Sequence, residues 1–313
     1  MEKTENTKKI TKEEAKAFLN ERLESFSLMN DYFFSAFMKE NHACMQVSLR
    51  AFTGDDTICV TDVRTQYPIE NLRPHKDRKT KGRGIRLDSF VATQQGKFYD
   101  LEVENRGENL ELRIRYYSSL TDTNLLNRGE DFSTLKDLTT IFVMPRDIRG
   151  KGKPTYIVRR AFVEAPDKVG KDAEIYEDGS MYIFVNGKYE ERDTLIGRVI
   201  HDFMTPLSDP KLVKEFQEEM ECIIQDADKR ERMVDTMIAE SMMNIDLQNL
   251  LSDAEREKKR EEGRMEGRME GRMEGRMEGI KDFAKYLVAS GVIPSNKMSD
   301  IMNAMKQGKL LQE

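Results

Sequence analysis

Residues 85–104 read IRLDSFVATQQGKFYDLEVE, two strand-like runs separated by Gln94, Gln95 and Gly96. A three-residue hairpin loop needs a left-handed residue in third place, a conformation that glycine adopts at no steric cost. That loop sets the register. Thr93 faces Lys97, so Phe90 falls opposite Asp100, Asp88 opposite Glu102 and Arg86 opposite Glu104. Val91 with Tyr99 and Leu87 with Val103 then make an apolar face, while the other face gathers carboxylates. Directly opposed Cβ atoms lie about 5 Å apart, so Asp88 and Glu102 repel unless one is protonated, a cation bridges them, or Arg86 and lysines compensate. A divalent cation is the economical solution, since Mg²⁺ takes few carboxylates, keeps several waters and is completed by phosphate oxygens. The alternative is a solvent-facing strand with ordinary charges, and the pattern alone leaves both open.

Around this hairpin the periodicity alternates between types. Helical spacing covers 12–24 and 31–52, where Phe33, Phe34, Phe37 and Met38 follow the capping residue Asn30. Strand signals occupy 57–65, 85–93, 97–104, 138–144, 156–163 and 181–185, with a helical stretch at 110–126 and further helices at 193–204 and 211–249. Helix, three strands, helix, strand is the order of an α/β domain, a central mixed β-sheet flanked by helices, followed by a helical C-terminal extension. In 262–277 the tetrad EGRM occurs four times. This period stacks like charges at i,i+4 and puts in each repeat a glycine that costs about 1 kcal/mol in a helix, so the segment reads as a marginal helix or spacer. The expected organisation is a lead-in at 1–27, the sheet domain at 28–205, a helical extension at 206–251, a charged linker at 252–279 and a small helical hairpin at 280–313.

The chain has 313 residues, with 51 Lys and Arg against 57 Asp and Glu, 38% hydrophobic and 35% charged. Such a composition is too polar for a membrane protein and too rich in large apolar residues for wholesale disorder. No run approaches the roughly 18 apolar residues of a span, and the first residues lack the apolar core of a signal peptide, so a cytoplasmic protein is expected. Cys44, Cys59 and Cys222 have no CxxC spacing, and His42, His75 and His201 are scattered, which argues against a disulfide framework or a zinc site. Positive charge is uneven. Residues 64–86 hold eight Lys and Arg against two acids, among them Lys76, Arg78, Lys79, Lys81, Arg83 and Arg86, a patch suited to phosphates. Residues 145–160 form a second patch, Arg146, Arg149, Lys151, Lys153, Arg159 and Arg160 against Asp147 alone.

An Asp, a hairpin and then Glu-x-(Lys or Gln) resembles the core of PD-(D/E)XK nucleases. The segments NDYFFSAFM, RLDSFVATQQGKFYDLEVEN, RIRYYSSLTDTNLL and GEDFSTLKDLTTIFVM, in this order, resemble one branch, the Rpn-like recombination-promoting nucleases associated with transposases and mobile elements. The likeness covers most of the chain. It implies a restriction-endonuclease-like core and a DNA endonuclease dependent on Mg²⁺ (or Mn²⁺), with Asp88 and Glu102 as metal ligands. Glu104 matches the last position of the triplet, where the branch looks to have Gln and the superfamily Lys. It stands there as a third ligand, as a general base, or as the mark of an inactive copy, and Asp100 on the same face is a spare candidate. Arg113 and Arg115 match the Arg-rich start of the next helix, which lies along the active site in related folds. They bind the scissile phosphate or supply the missing cation, or else simply pair with nearby glutamates. Arg64 to Arg86 would grip the DNA backbone. The expected partners are DNA, no membrane, and a second copy of the chain through the C-terminal helices. The rival reading is a catalytically inactive DNA-binding or regulatory protein that keeps the nuclease fold.

Overall fold

Six strands hydrogen-bond into one mixed open sheet in the order β1-β2-β3-β4-β6-β5, in a computed structural model of the chain. They are β1 Val60–Ile69, β2 Ile85–Thr93, β3 Phe98–Val103, β4 Leu138–Met144, β5 Thr155–Val158 and β6 Ser180–Asn186. The structure describes residues 11–39, 41–71, 82–105, 107, 109–163 and 174–243, all inside the unit Met1–Ile245. Lys76, Arg78, Lys79 and Lys81, the EGRM repeat and the hairpin expected at 280–313 lie outside the described residues. β1, β2 and β3 are antiparallel neighbours, β3, β4 and β6 run parallel, and β5 closes one edge antiparallel to β6. The expected α/β class and mixed sheet are both present.

The β2–β3 turn follows the glycine argument. Gly96 sits at φ +73°, its N–H donates to Thr93 O at 2.9 Å, and Thr93 N donates to Lys97 O at 3.1 Å. The register is the expected one where the ladder exists, with Phe90 opposite Asp100 and Val91 opposite Tyr99. Further down, the pairing of Leu87 with Val103 does not form. Leu87 instead joins Ile69, Ile85, Phe90 and Leu138 in one apolar cluster, because the ladder gives way at Ser89 and the two strands part.

Helices form where caps and apolar spacing coincide. α1 (Lys12–Arg22) opens with a capping box in which Thr11 and Glu14 satisfy each other's backbone N–H. The continuous helix expected over 31–52 is two, α2 (Asp31–Met38) and α3 (His42–Thr53), because the Asn41 side chain accepts from Cys44 N and starts a new helix. The stretch 211–249 is likewise divided among its described residues into α6 (Lys214–Gln225) and α7 (Ala227–Met243), with Asp226 Oδ1 accepting from Asp228 N and Lys229 N. Between them in the chain come α4 (Leu110–Leu125) and α5 (Leu195–Met204).

Two packing layers place the site. α4 lies over the sheet face that carries Phe90, Asp100, Glu102 and Phe142: Leu110 and Ile114 pack on Phe142 and Phe184, while Tyr116 and Tyr117 pack against the Phe90 cluster. α2, α3, α5 and α6 share an aromatic cluster in which Phe37 stacks on Phe216 at 6.0 Å and Phe52 meets Phe203 edge-on at 5.5 Å. Contacts from α7 to α1 and α2 tie the segments before and after the sheet to the same unit. Among the described residues no helix is long and apolar enough to cross a membrane.

Candidate metal and phosphate site

Below the Phe90–Asp100 pair, side chains replace the backbone ladder. Ser89 Oγ donates to Leu101 O at 2.9 Å and accepts from Leu101 N at 3.3 Å. Asp88 N donates to Glu102 Oε1 at 2.8 Å, and Val103 N donates to Asp88 Oδ2 at 3.0 Å. Buried backbone donors require partners, and here the two expected metal-binding carboxylates serve as those partners while β3 keeps its parallel pairing to β4 as far as Val103 with Val143. Asp88 and Glu102 are thereby held at one place in the opening between strands.

α4 packs over this part of the sheet, and the acids on β3 and just after it are shielded from solvent. Asp100 is 2%, Glu102 5% and Glu104 4% exposed, and Asp88 is half-buried. The reading of an ordinary solvated strand fails on these burials. Burial pushes Asp100 up to about 8, despite hydrogen-bonding contact with Glu102 that pulls the other way. Glu102 is raised well above the usual carboxylate range by burial and then by the charge of Asp100, offset in part by Arg113. Asp88 is raised by burial, by Glu102 and by Asp31, against the pull of the Val103 N–H and Arg86. Asp100 Oδ1 is buried with no hydrogen-bond partner. Three carboxyls thus crowd together with too little positive charge.

Glu104 has a different place. Its Oε1 accepts from Gly107 N at 2.7 Å and its Oε2 accepts from Arg113 Nη2, while its own N–H donates to Val143 O at 2.9 Å. Both carboxylate oxygens are engaged in shaping the β3–α4 connection and in holding Arg113. The guanidinium of Arg113 lies 5.7 Å from the Tyr117 ring centroid and 6.0 Å from that of Phe142, with a buried Nε that has no partner. Aromatic faces attract a cation held this way. Arg113 therefore stands beside the acids. Arg115 is exposed, about 200° around the helix at about 100° per residue, and points away from them. Arg86 is half-buried and its charge reaches Asp88, and that of Arg83 reaches Tyr117.

Two members of the neighbourhood, Asp31 and Gln66, escaped the sequence reading, and a third, Tyr117, was legible only as part of the helix segment that carries Arg113. Asp31, in the first turn of α2, adds its negative charge at Asp88. Tyr117, raised by burial and then by Glu102, belongs to the acid cluster as well as to the packing. Gln66 lies between Thr65, paired with Ser89, and Tyr67, paired with Leu87, and so across from Asp88. It holds φ +50°, its Nε2 donates to Ser35 Oγ at 2.6 Å, and its Oε1 is buried without a partner. A left-handed non-glycine residue costs about 1–2 kcal/mol, and nothing in an alternating strand pattern announces one.

Among the described residues no three His, Cys, Asp or Glu side chains are drawn together as a ready-made metal cage. No family model, no curated protein and no solved structure matches the chain.

Proposed function

We propose that this chain is a divalent-metal-dependent DNA endonuclease with a restriction-endonuclease-like core, related to recombination-promoting nucleases of the PD-(D/E)XK type. The observation that carries the reading is the group of half-buried Asp88 with buried Asp100 and Glu102, fixed where β2 and β3 part and flanked by Arg113. The donors are all hard oxygens, the site has an excess of negative charge, and Asp100 Oδ1 is buried without a partner. This chemistry fits Mg²⁺ or Mn²⁺. Asp88 and Glu102 would hold the ion, with Asp100 the candidate third ligand. When bound, a hard divalent cation supplies charge neutralisation for phosphate oxygens and acidifies water for attack on phosphorus.

The protein's own groups supply the rest. Asp88 and Glu102 are oriented by backbone hydrogen bonds across the strands, Glu102 Oε1 accepting from Asp88 N and Asp88 Oδ2 from Val103 N. Arg113 offers a planar cation to the phosphate, where charge grows in the transition state. Glu104, with both oxygens committed, acts as a positioning residue that aims Arg113. The same ion pair favours a second reading, an inactive DNA-binding protein, because it partly neutralises the guanidinium beside the acids. A plasmid nicking assay with Mg²⁺ or Mn²⁺ tests both. Divalent-dependent nicking that disappears in Asp88→Asn and Glu102→Gln supports the nuclease; equal nicking by wild type and variants would exclude this site, and no nicking with retained DNA binding would favour the inactive protein.

A further inference from the structure

The connection between β4 and β5, residues 145–154, leaves the sheet at the same end as the acids. Glu104 N donates to Val143 O, and Arg146 Nη1 donates to Asn105 O at 3.1 Å, so the loop begins against the residues that directly follow β3. Its far end is tied to β6, where Asn186 N donates to Pro154 O at 2.9 Å and Asn186 Nδ2 to Lys153 O at 3.1 Å. The loop therefore bridges the carboxyl ends of the three parallel strands, the edge where open α/β sheets bind ligands.

The loop is built around one carboxylate. Asp147 Oδ1 accepts from Arg149 N at 3.0 Å, Gly150 N at 2.8 Å and Tyr156 Oη at 2.8 Å, while Oδ2 accepts from Gly152 N at 2.7 Å. Tyr156 Oη in turn accepts from Lys151 N and Lys153 N, each at 3.3 Å. Gly150 and Gly152, at φ +62° and +64°, let the chain coil around that carboxylate. Fixing a loop costs about 1–2 kcal/mol of backbone entropy per residue, and this one is fixed so that Arg149, Lys151 and Lys153 project into solvent. All three are exposed, and among the described residues none has an acidic partner.

We propose that this loop is a preorganised clamp for the sugar-phosphate backbone of duplex DNA, with Arg149, Lys151 and Lys153 as its phosphate-binding side chains. The choice of DNA rests on the nuclease reading. The choice of duplex over single strand rests on the loop itself, since residues 145–154 contain no aromatic side chain and single-strand binders rely on aromatic stacking. The N–H groups of Arg149, Gly150 and Gly152 are taken by Asp147 and those of Lys151 and Lys153 by Tyr156, so these five do not read bases. Recognition is then electrostatic and independent of sequence.

The test uses the full chain and a short fluorescein-labelled duplex, with anisotropy read without divalent ions over about 50–200 mM salt. Replacing the three cations by Gln should weaken binding and reduce the log–log salt slope by up to about 2.7, at about 0.9 for each phosphate left without its cation, and Lys151→Gln alone by about 0.9. Asp147→Ala removes a negative charge, which on charge alone would tighten binding; a clamp that depends on loop shape predicts weaker binding instead. An unchanged slope in both the triple and single variants, tighter binding by Asp147→Ala, or a stronger loop-dependent affinity for duplex RNA or phosphatidylserine vesicles would each overturn the proposal. Cleavage is not read in this assay. A chain that binds through the loop and never cuts loses the nuclease reading alone, and one that cuts but ignores the loop variants loses the clamp alone.

Discussion

Glu104 holds Arg113 with one oxygen and the β3–α4 connection with the other, and Arg113 is partly exposed while Glu104 is not. Glu104→Gln keeps an acceptor in place and exchanges a charge-assisted bond for a neutral one, so it should lower stability by about 1 kcal/mol. Divalent binding should survive; its loss would make Glu104 a ligand. Arg113→Ala is the harsher change, since it leaves a buried carboxylate without its cation, at a cost of about 3 kcal/mol, the low end for a buried pair because Arg113 is partly exposed. Urea denaturation of both variants orders them. Asp100 couples stability to pH. Its folded pKa is raised to about 8 against about 3.9 unfolded. Between those values the native state binds more protons than the unfolded one, so stability contributed by the neutral group is full below about pH 4 and is lost as pH rises through about 8. In EDTA the melting temperature should therefore fall from pH 6 to 9, Asp100→Asn should flatten the fall, and Mg²⁺ should reverse it. A wild-type profile that stays flat, or that rises with pH, would contradict the burial and crowding described.

At the level of elements, the parting of β2 from β3 makes Ser89 and Asp88 structural as well as chemical. Ser89→Ala removes the hydroxyl that serves Leu101 N and Leu101 O, and an unsatisfied buried group costs about 1–3 kcal/mol. A melting temperature equal to wild type would mean that Leu101 finds other partners. Asp88→Asn keeps an acceptor for Val103 N while removing a like charge, so in EDTA at pH 8 it should be at least as stable as wild type; Asp88→Ala, which leaves Val103 N without that acceptor, should be less stable. Thermal melts of the two variants separate charge repulsion from the missing hydrogen bond. The hairpin register was legible in the sequence because one glycine in a three-residue loop counts every pair outward from itself. The place where the ladder opens was not, because a serine or aspartate bonding to the opposite backbone leaves the alternation of residue types unchanged. Asn41 and Asp226 hid for a related reason: each caps a new helix inside an apolar period that runs on past it. The carboxylates of the site could be read from that register, whereas Asp31 comes from a helix far away in sequence, and only the packing of α2 brings it to Asp88.

For the whole molecule, net charge is a poor guide to binding. The chain carries −6, yet exposed charges act over about one Debye length, near 10 Å at 0.1 M salt, so the basic loop at 145–154 acts locally. α7 bears on folding. Met233, Val234, Met237 and Ile238 are buried, and Arg230 reaches Glu24 at 2.8 Å and Asn20 O at 2.9 Å near α1. Burying each such side chain contributes about 1.5–3 kcal/mol, comparable in sum to the 5–15 kcal/mol of a typical domain. A chain ending at 226 should consequently fail to unfold cooperatively, and one ending at 251 should keep a single sharp transition by circular dichroism. Equal transitions in both would mean that α7 contributes little to the core.

Sharing of a divalent cation by Asp88 and Glu102 can be measured by calorimetric titration of Mn²⁺ into the full chain at pH 8. Wild type should bind with saturation, Asp88→Asn and Glu102→Gln should each lose that binding while remaining folded, and affinity should fall at pH 6, below the value of about 8 to which burial pushes Asp100. Binding that persists unchanged in both variants, or no binding by wild type at either pH, would contradict it.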